Sequence, residues 1–137
     1  MAKFARGKFY MKHPEKYVGT KTPTYRSSWE LSFCNFCDTN NSIIKWASES
    51  IKIPYRDPTT GKQTIYVPDF LIVYVDQTGK KHAEIVEIKP ANQTLREKVG
   101  NNVGRQYQYV KNMAKWEAAR AYAKQLGITF RIINETD

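Results

Sequence analysis

Two apolar runs carry charges that such runs do not normally tolerate. Val67-Pro68-Asp69-Phe70 holds a carboxylate, and Ile85-Val86-Glu87-Ile88-Lys89-Pro90 holds a carboxylate and an amine. Apolar surroundings disfavour these ionised groups unless they pair with one another or hold a cation. A fold that accommodates them must bring the two runs side by side. Residues two apart on a strand share a face, so Glu87 and Lys89 project together while Ile88 points to the opposite, buried face. Glu84 falls on that opposite face too and is the weaker candidate. Asp69 comes within reach if Asp76-Gln77-Thr78-Gly79-Lys80 closes a hairpin.

Two carboxylates and a backbone carbonyl, here that of Ile88, form a set of hard oxygen donors. Such a set suits Mg²⁺, which keeps waters in the rest of its shell. A divalent ion acidifies water and neutralises charge building on a phosphate oxygen. A lysine beside it can stabilise transition-state charge. Together these groups point to phosphodiester hydrolysis. The competing reading of Glu87 and Lys89 is an exposed strand face with a weak ion pair.

The rest of the chain supplies a frame. Ser27 and Glu30 fit a capping box ahead of Trp29, Phe33, Phe36 and Cys37 at helical spacing, with turn chemistry at Asp38-Thr39-Asn40-Asn41. Strands are predicted over 42–48 and 50–55, then a hairpin loop over 57–62. A long β-rich run follows over 63–75, with Pro68 forcing a bulge or an edge. Another strand spans 81–89. A short helix around 94–98 is compatible with the sequence. A long helix is predicted over about 104–125, with Tyr107, Val110, Ala114, Ala118, Ala121 and Tyr122 on one stripe. Gly127 stops it, and a last strand covers 128–133. The long helix is a crossover, which permits parallel pairing of the strands on either side of it. The expected fold is α/β (α+β): a mixed β-sheet flanked by helices, in the order helix, strands, helix, strand.

The chain of 137 residues suits one domain, and its 41% hydrophobic and 26% charged content is ordinary for a globular protein. No apolar run reaches membrane-span length, and the first residues lack the apolar stretch of a secretory signal. Cys34 and Cys37 read as small buried helix residues. His13 and His82 do not complete a zinc-ligand spacing with them. The net charge of +9 is uneven: residues 1–26 hold seven cations against Glu15 alone, leaving +6 there. Interleaved Phe4, Phe9, Tyr10, Tyr17 and Tyr25 make this segment more than a solvated tail. The expected division is a basic arm over 1–25, wrapped on a core or ordered by its partner, and a domain over 26–137. A polyanion, nucleic acid above all, is the expected partner.

Pro68-Asp69, Glu87-Ile88-Lys89 and the upstream helix residue Glu30 resemble the PD-(D/E)xK nucleases of the restriction-endonuclease-like fold. Tyr25-Arg26-Ser27-Ser28-Trp29-Glu30, Ile43-Ile44-Lys45-Trp46, Ile53-Pro54-Tyr55 and Val67-Pro68-Asp69-Phe70 are similar, more narrowly, to the head-completion nucleases of tailed phages. Those in turn resemble the endonuclease subunit of certain transposases. The likeness spans about 24–133. It implies a Mg²⁺-dependent DNA endonuclease, with Mn²⁺ able to substitute, acting in phage head completion and DNA packaging. Asp69 and Glu87 are then metal ligands, with the Ile88 carbonyl beside them. Lys89 is the catalytic lysine, and Glu30 is an additional acid that either binds metal or caps its helix. The implied partners are DNA and head or neck (portal) proteins, with no membrane. The implied location is the host cytoplasm or the virion.

The cations expected to grip DNA are Arg6, Lys8, Lys12, Arg26, Arg105, Lys111 and Lys115. Contacts of this kind follow the backbone and carry no base specificity, and no base-reading motif is present. Cleavage is therefore expected to be sequence-independent or structure-selective. Two other readings stay open: a Holliday-junction-resolvase or transposase-type nuclease, and a non-catalytic DNA-binding component of the head or neck.

Overall fold

The computed structural model describes residues 6–89 and 102–134. The short helix compatible with 94–98 lies outside them, as do Lys3 and Phe4 of the basic segment. Four strands form the central sheet: β3 (Ile43–Ser48), β6 (Phe70–Val75), β7 (Lys81–Ile88) and β8 (Thr129–Ile133), in the order β3-β6-β7-β8. Numbering follows the chain, with β1 at Gly7–Lys8, β2 at Thr24–Tyr25, β4 at Ile53–Arg56 and β5 at Gln63–Tyr66. The first two form one small antiparallel ladder and the other two form a second. Helix α1 covers Ser28–Thr39 and helix α2 covers Val103–Gln125.

The expected mixed sheet is present. The hairpin through Gly79, at φ 85°, closes β6 against β7 in antiparallel register. Crossover through α2 makes β7 and β8 parallel, with Glu87 opposite Ile132. One layer on the sheet holds α1 and the leading segment, which bury Phe9, Phe33, Cys34 and Cys37 against Trp46, Phe70, Ile72 and Val86. The other holds α2 and the β4–β5 hairpin, where Ile53, Tyr55 and Tyr66 meet Trp116 and Ala119. Fully burying a large apolar side chain contributes roughly 1.5–3 kcal/mol, so Trp46 and Trp116 anchor the two layers.

Three expectations need correction. The run predicted over 63–75 is not one strand. It breaks at Val67-Pro68-Asp69 into β5 and β6, which belong to different sheets. Proline cannot donate to a ladder, and here it ends pairing rather than bulging it. The α2 stripe is also rotated from its expected place. Asn112, Trp116, Ala119 and Ala123 are buried, while Tyr107, Val110 and Ala121 are exposed. The polar Asn112 and the single bulky Trp116 carry the packing, which a count of apolar positions misses. On α1, Trp29 and Phe36 are 39% and 47% exposed, and Asp38 takes a core position instead.

Asp38 explains how residues 6–25 are held. Its carboxylate accepts from the amides of Lys12 and His13, both at 2.9 Å. Lys16 Nζ donates to the Asp38 and Asn40 carbonyls at the end of α1. Tyr17 packs edge-on against Trp46 with ring centroids 4.8 Å apart. The segment is part of the hydrophobic core, through Phe9 at 5% exposure.

Candidate active site

The β6–β7 register sets Phe70 against Val86, and one step further it sets Asp69 against Glu87. The two carboxylates replace the ladder there. Asp69 Oδ2 accepts from the Ile88 amide at 2.8 Å, and the Asp69 amide donates to Glu87 Oε1 at 3.2 Å. Lys89 Nζ lies 3.7 Å from Glu87 Oε2. Glu87 is 4% exposed. Burial, then the neighbouring Glu87 charge, hold the Asp69 carboxyl well above its usual range. Burial also raises Glu87, against the opposing pull of Lys89. Lys89 is the nearest positive charge to Glu87, and Lys115 on α2 reaches it too.

Face alternation holds as expected. Val86 and Ile88 pack with the α1 layer, and Glu87 faces Tyr66 and α2. Glu84 lies on the other face and pairs with Arg131 at 3.3 Å.

Glu30 stands on the first turn of α1. Ser27 Oγ accepts from the Glu30 amide at 3.1 Å, which is the forward half of a capping box. The return bond does not go to Ser27. Glu30 Oε1 accepts from the Arg26 amide at 3.2 Å, one residue earlier. Burial raises the Glu30 carboxyl, and the charges of Arg26, Glu49 and Lys89 reach it. Glu30 thus serves its helix and borders the acid pair at once.

The expected DNA-gripping cations divide by position. Lys115 is half-buried on α2, 5.6 Å over the Tyr66 ring, and burial followed by the nearby Lys89 charge lowers its ammonium. Lys111 is 3.5 Å from Asp57. Arg26 forms an ion pair with Glu49 and lies within the field of Glu30 and Asp69. Arg6 precedes the β1–β2 register that pairs Gly7 with Tyr25, which carries it toward Arg26. Lys8 is exposed on β1. Lys12 sits at the opposite end of α1, about 12 Å along the axis from Glu30 at 1.5 Å per residue. Arg105 is exposed on the first turn of α2, about 15 Å along that helix from Lys115.

Two residues of this neighbourhood escape sequence reasoning. Tyr66 brings its buried hydroxyl to the Glu87 carboxylate and the Trp116 indole. Glu49 follows β3 directly, and its amide donates to the Asp69 carbonyl at 2.9 Å. Among the described residues it is the one non-glycine in the left-handed backbone region, at φ 50°. No local pattern announces such a glutamate, since neither its conformation nor its partners are near in sequence.

No three His, Cys, Asp or Glu side chains among the described residues group closely enough to hold a metal by themselves. The donors are oxygens, two of them on enclosed carboxyls whose ionised forms burial disfavours. That suits a hard divalent ion keeping waters in its shell.

Comparison with known proteins places the chain in a family. The family model described as TnsA-like endonuclease N terminal matches residues 40–135, which include Asp69, Glu87 and Lys89. The head completion nuclease of Enterobacteria phage T4 is 35% identical, over 94% of this chain and 90% of the relative. That alignment extends beyond the family model and takes in most of the leading segment and α1. The chain belongs to the TnsA-like endonuclease family, whose N-terminal domain it carries.

Proposed function

We propose that this endonuclease cleaves DNA at a site built from Asp69, Glu87 and Lys89, with Glu30 as an additional acid, and that it serves phage head completion. The observation that carries the reading is the reciprocal Asp69–Glu87 clasp with Lys89 at 3.7 Å from Glu87. Asp69 and Glu87 would hold Mg²⁺, or Mn²⁺ in its place, with the Ile88 carbonyl as a further oxygen donor. When bound, the ion supplies Lewis acidity and neutralises charge on the phosphate oxygens.

The side chains have separate tasks. The Ile88 amide orients the Asp69 carboxylate, and the Asp69 amide orients that of Glu87. Lys89 carries a positive charge to the rim, where it stabilises negative charge on the attacked phosphate. Lys115, whose ammonium is lowered by burial and by Lys89, extends the cationic wall toward α2. Arg6, Lys8 and Arg105 track the DNA backbone without reading bases. Phage head or neck proteins are the proposed protein partners, as the relative's name suggests.

Supercoiled plasmid incubated with the protein and Mg²⁺ or Mn²⁺ should be nicked. Asp69→Ala and Lys89→Ala should each slow nicking by at least about a hundredfold, the scale of losing one transition-state stabiliser. Nicking by both variants at the rate of the unaltered protein would remove the site assignment. Salt-sensitive DNA binding without cleavage under either metal would remove the catalytic reading.

A further inference from the structure

Arg26 is held at two points. The Glu30 carboxylate takes its amide at 3.2 Å, and the Glu49 carboxylate takes its guanidinium. The first contact tethers the residue beside the acids of the site. The second decides where its charge goes. Glu49 also binds Lys21 at 3.3 Å, and its side chain is 15% exposed.

The backbone of Glu49 is shaped for this task. Strand alternation from Trp46 and Ser48 would send the next side chain toward the α2 layer. The left-handed turn at φ 50° sends it instead to Arg26 and Lys21, on the side of α1 and the leading segment. A non-glycine residue pays for that conformation in strain, so it persists only where the surroundings impose it. Here the amide is fixed by the Asp69 carbonyl at 2.9 Å. One residue therefore touches the strand of Asp69 with its backbone and the residue bound by Glu30 with its side chain.

We propose that Glu49 is a positioning residue that draws the Arg26 guanidinium away from Glu30 and Asp69, so that their cation site stays open. This rests on the reading of those acids as a metal site. Without Glu49, Arg26, whose amide Glu30 holds, is left facing the Glu30 and Asp69 carboxylates. Both charges already act on it. An arginine paired with either carboxylate competes directly with a divalent ion. The ion pair of Arg26 with Glu49 is then not a stabilising ornament but the means of keeping an internal cation out of the metal's place.

A double-mutant cycle on the DNA-free, full-length protein tests this, with free Mn²⁺ followed by electron paramagnetic resonance. Asp69→Asn tests the underlying reading and should abolish Mn²⁺ binding. If it binds as the unaltered protein does, the metal-site reading falls and this inference falls with it. Given that loss, Glu49→Gln should weaken Mn²⁺ binding by about tenfold or more, the size of effect a cation has on a carboxylate within ~4–6 Å. In the Arg26→Gln background the same change should have almost no effect. A simple loss of negative charge predicts the same weakening in both backgrounds, because distant charges add. Equal weakening in the two, or none in either, overturns the proposal while leaving the metal site standing. Circular dichroism of all four proteins checks that each is folded.

Discussion

Asp69 and Glu87 hold each other's strand: the Asp69 carboxylate accepts from the amide of Ile88, and the Glu87 carboxylate accepts from the amide of Asp69. The same two bonds that place the acids also keep two negative charges close together in an enclosed space. The arrangement suits a cation and is unfavourable without one.

The first prediction follows from that cost. Burial raises both carboxyls in the folded protein, and the Glu87 charge raises that of Asp69 further. A group raised by folding contributes stability below its unfolded pKa, about 4, and that contribution is lost as pH rises through the folded value. The metal-free protein should therefore be less stable than Asp69→Asn at pH 7.5, by the order of 1 kcal/mol or a few degrees in Tm. The gap should close as pH falls toward 4. Thermal unfolding of both proteins across that range checks it, and a gap that persists at acid pH contradicts it.

Adding the cation should reverse the order. A ligand bound only by the folded state stabilises by about 2.7 kcal/mol at a hundred times its Kd. Mg²⁺ or Mn²⁺ should raise the Tm of the unaltered protein and leave that of Asp69→Asn where it was. Equal shifts in both would mean that the ion binds elsewhere.

Glu30 has two tasks that substitution can separate. Ser27→Ala removes the acceptor for the Glu30 amide and should cost about 1 kcal/mol of stability, as N-caps do. Glu30→Gln keeps an acceptor for the Arg26 amide but loses the charge. It should lower plasmid nicking by at least about tenfold and change urea unfolding little. Full activity in Glu30→Gln would leave the residue as a cap only.

Asp38 should matter to the fold more than to DNA. Asp38→Ala removes the acceptor of the Lys12 and His13 amides, and a lost hydrogen bond at a part-buried site costs about 0.5–1.5 kcal/mol. Urea unfolding should show the loss, and limited proteolysis should cut first within residues 6–25. Proteolysis no faster than for the unaltered protein would mean that the segment is held by Phe9 and Tyr17 alone.

DNA affinity should fall with salt, and Lys8→Ala or Arg105→Ala should each lower the slope of log K against log salt by about one. The loss should be the same on DNA of any sequence. Fluorescence anisotropy with two unrelated duplexes, titrated at several salt concentrations, measures both. A sequence-dependent loss would point to base contact.

The order of helices and strands was legible because it rests on local chemistry. Ser27 and Glu30 mark a helix start, Gly79 a hairpin, Gly127 a helix end, and alternation around Glu87 its shared face with Lys89. The parallel β7–β8 pair was permitted by the length of the helix between them. The buried stripe of α2 was misread because Asn112 and Trp116 do the packing. The exposure of Trp29 and Phe36 was missed for a similar reason. The α1 face turned inward is chosen by what the leading segment and Phe70 offer it, and Asp38 is drawn inward by the amides of Lys12 and His13.

By itself the sequence determined which groups stand out: Asp69, Glu87 and Lys89 sit in apolar runs where charge is costly, and strand periodicity puts two of them on one face. Only the tertiary structure decided how they are held and what surrounds them. The reciprocal clasp requires a one-step register between two strands, and the return bond of Glu30 lands on Arg26. Glu49 enters the site through a left-handed turn fixed by the Asp69 carbonyl, and Tyr66 enters from a different sheet. Periodicity follows from local backbone geometry and can be read along a chain. These contacts join residues 18 or more apart along the chain, except Glu30 to Arg26, and exist only once packing has fixed where each strand end lies.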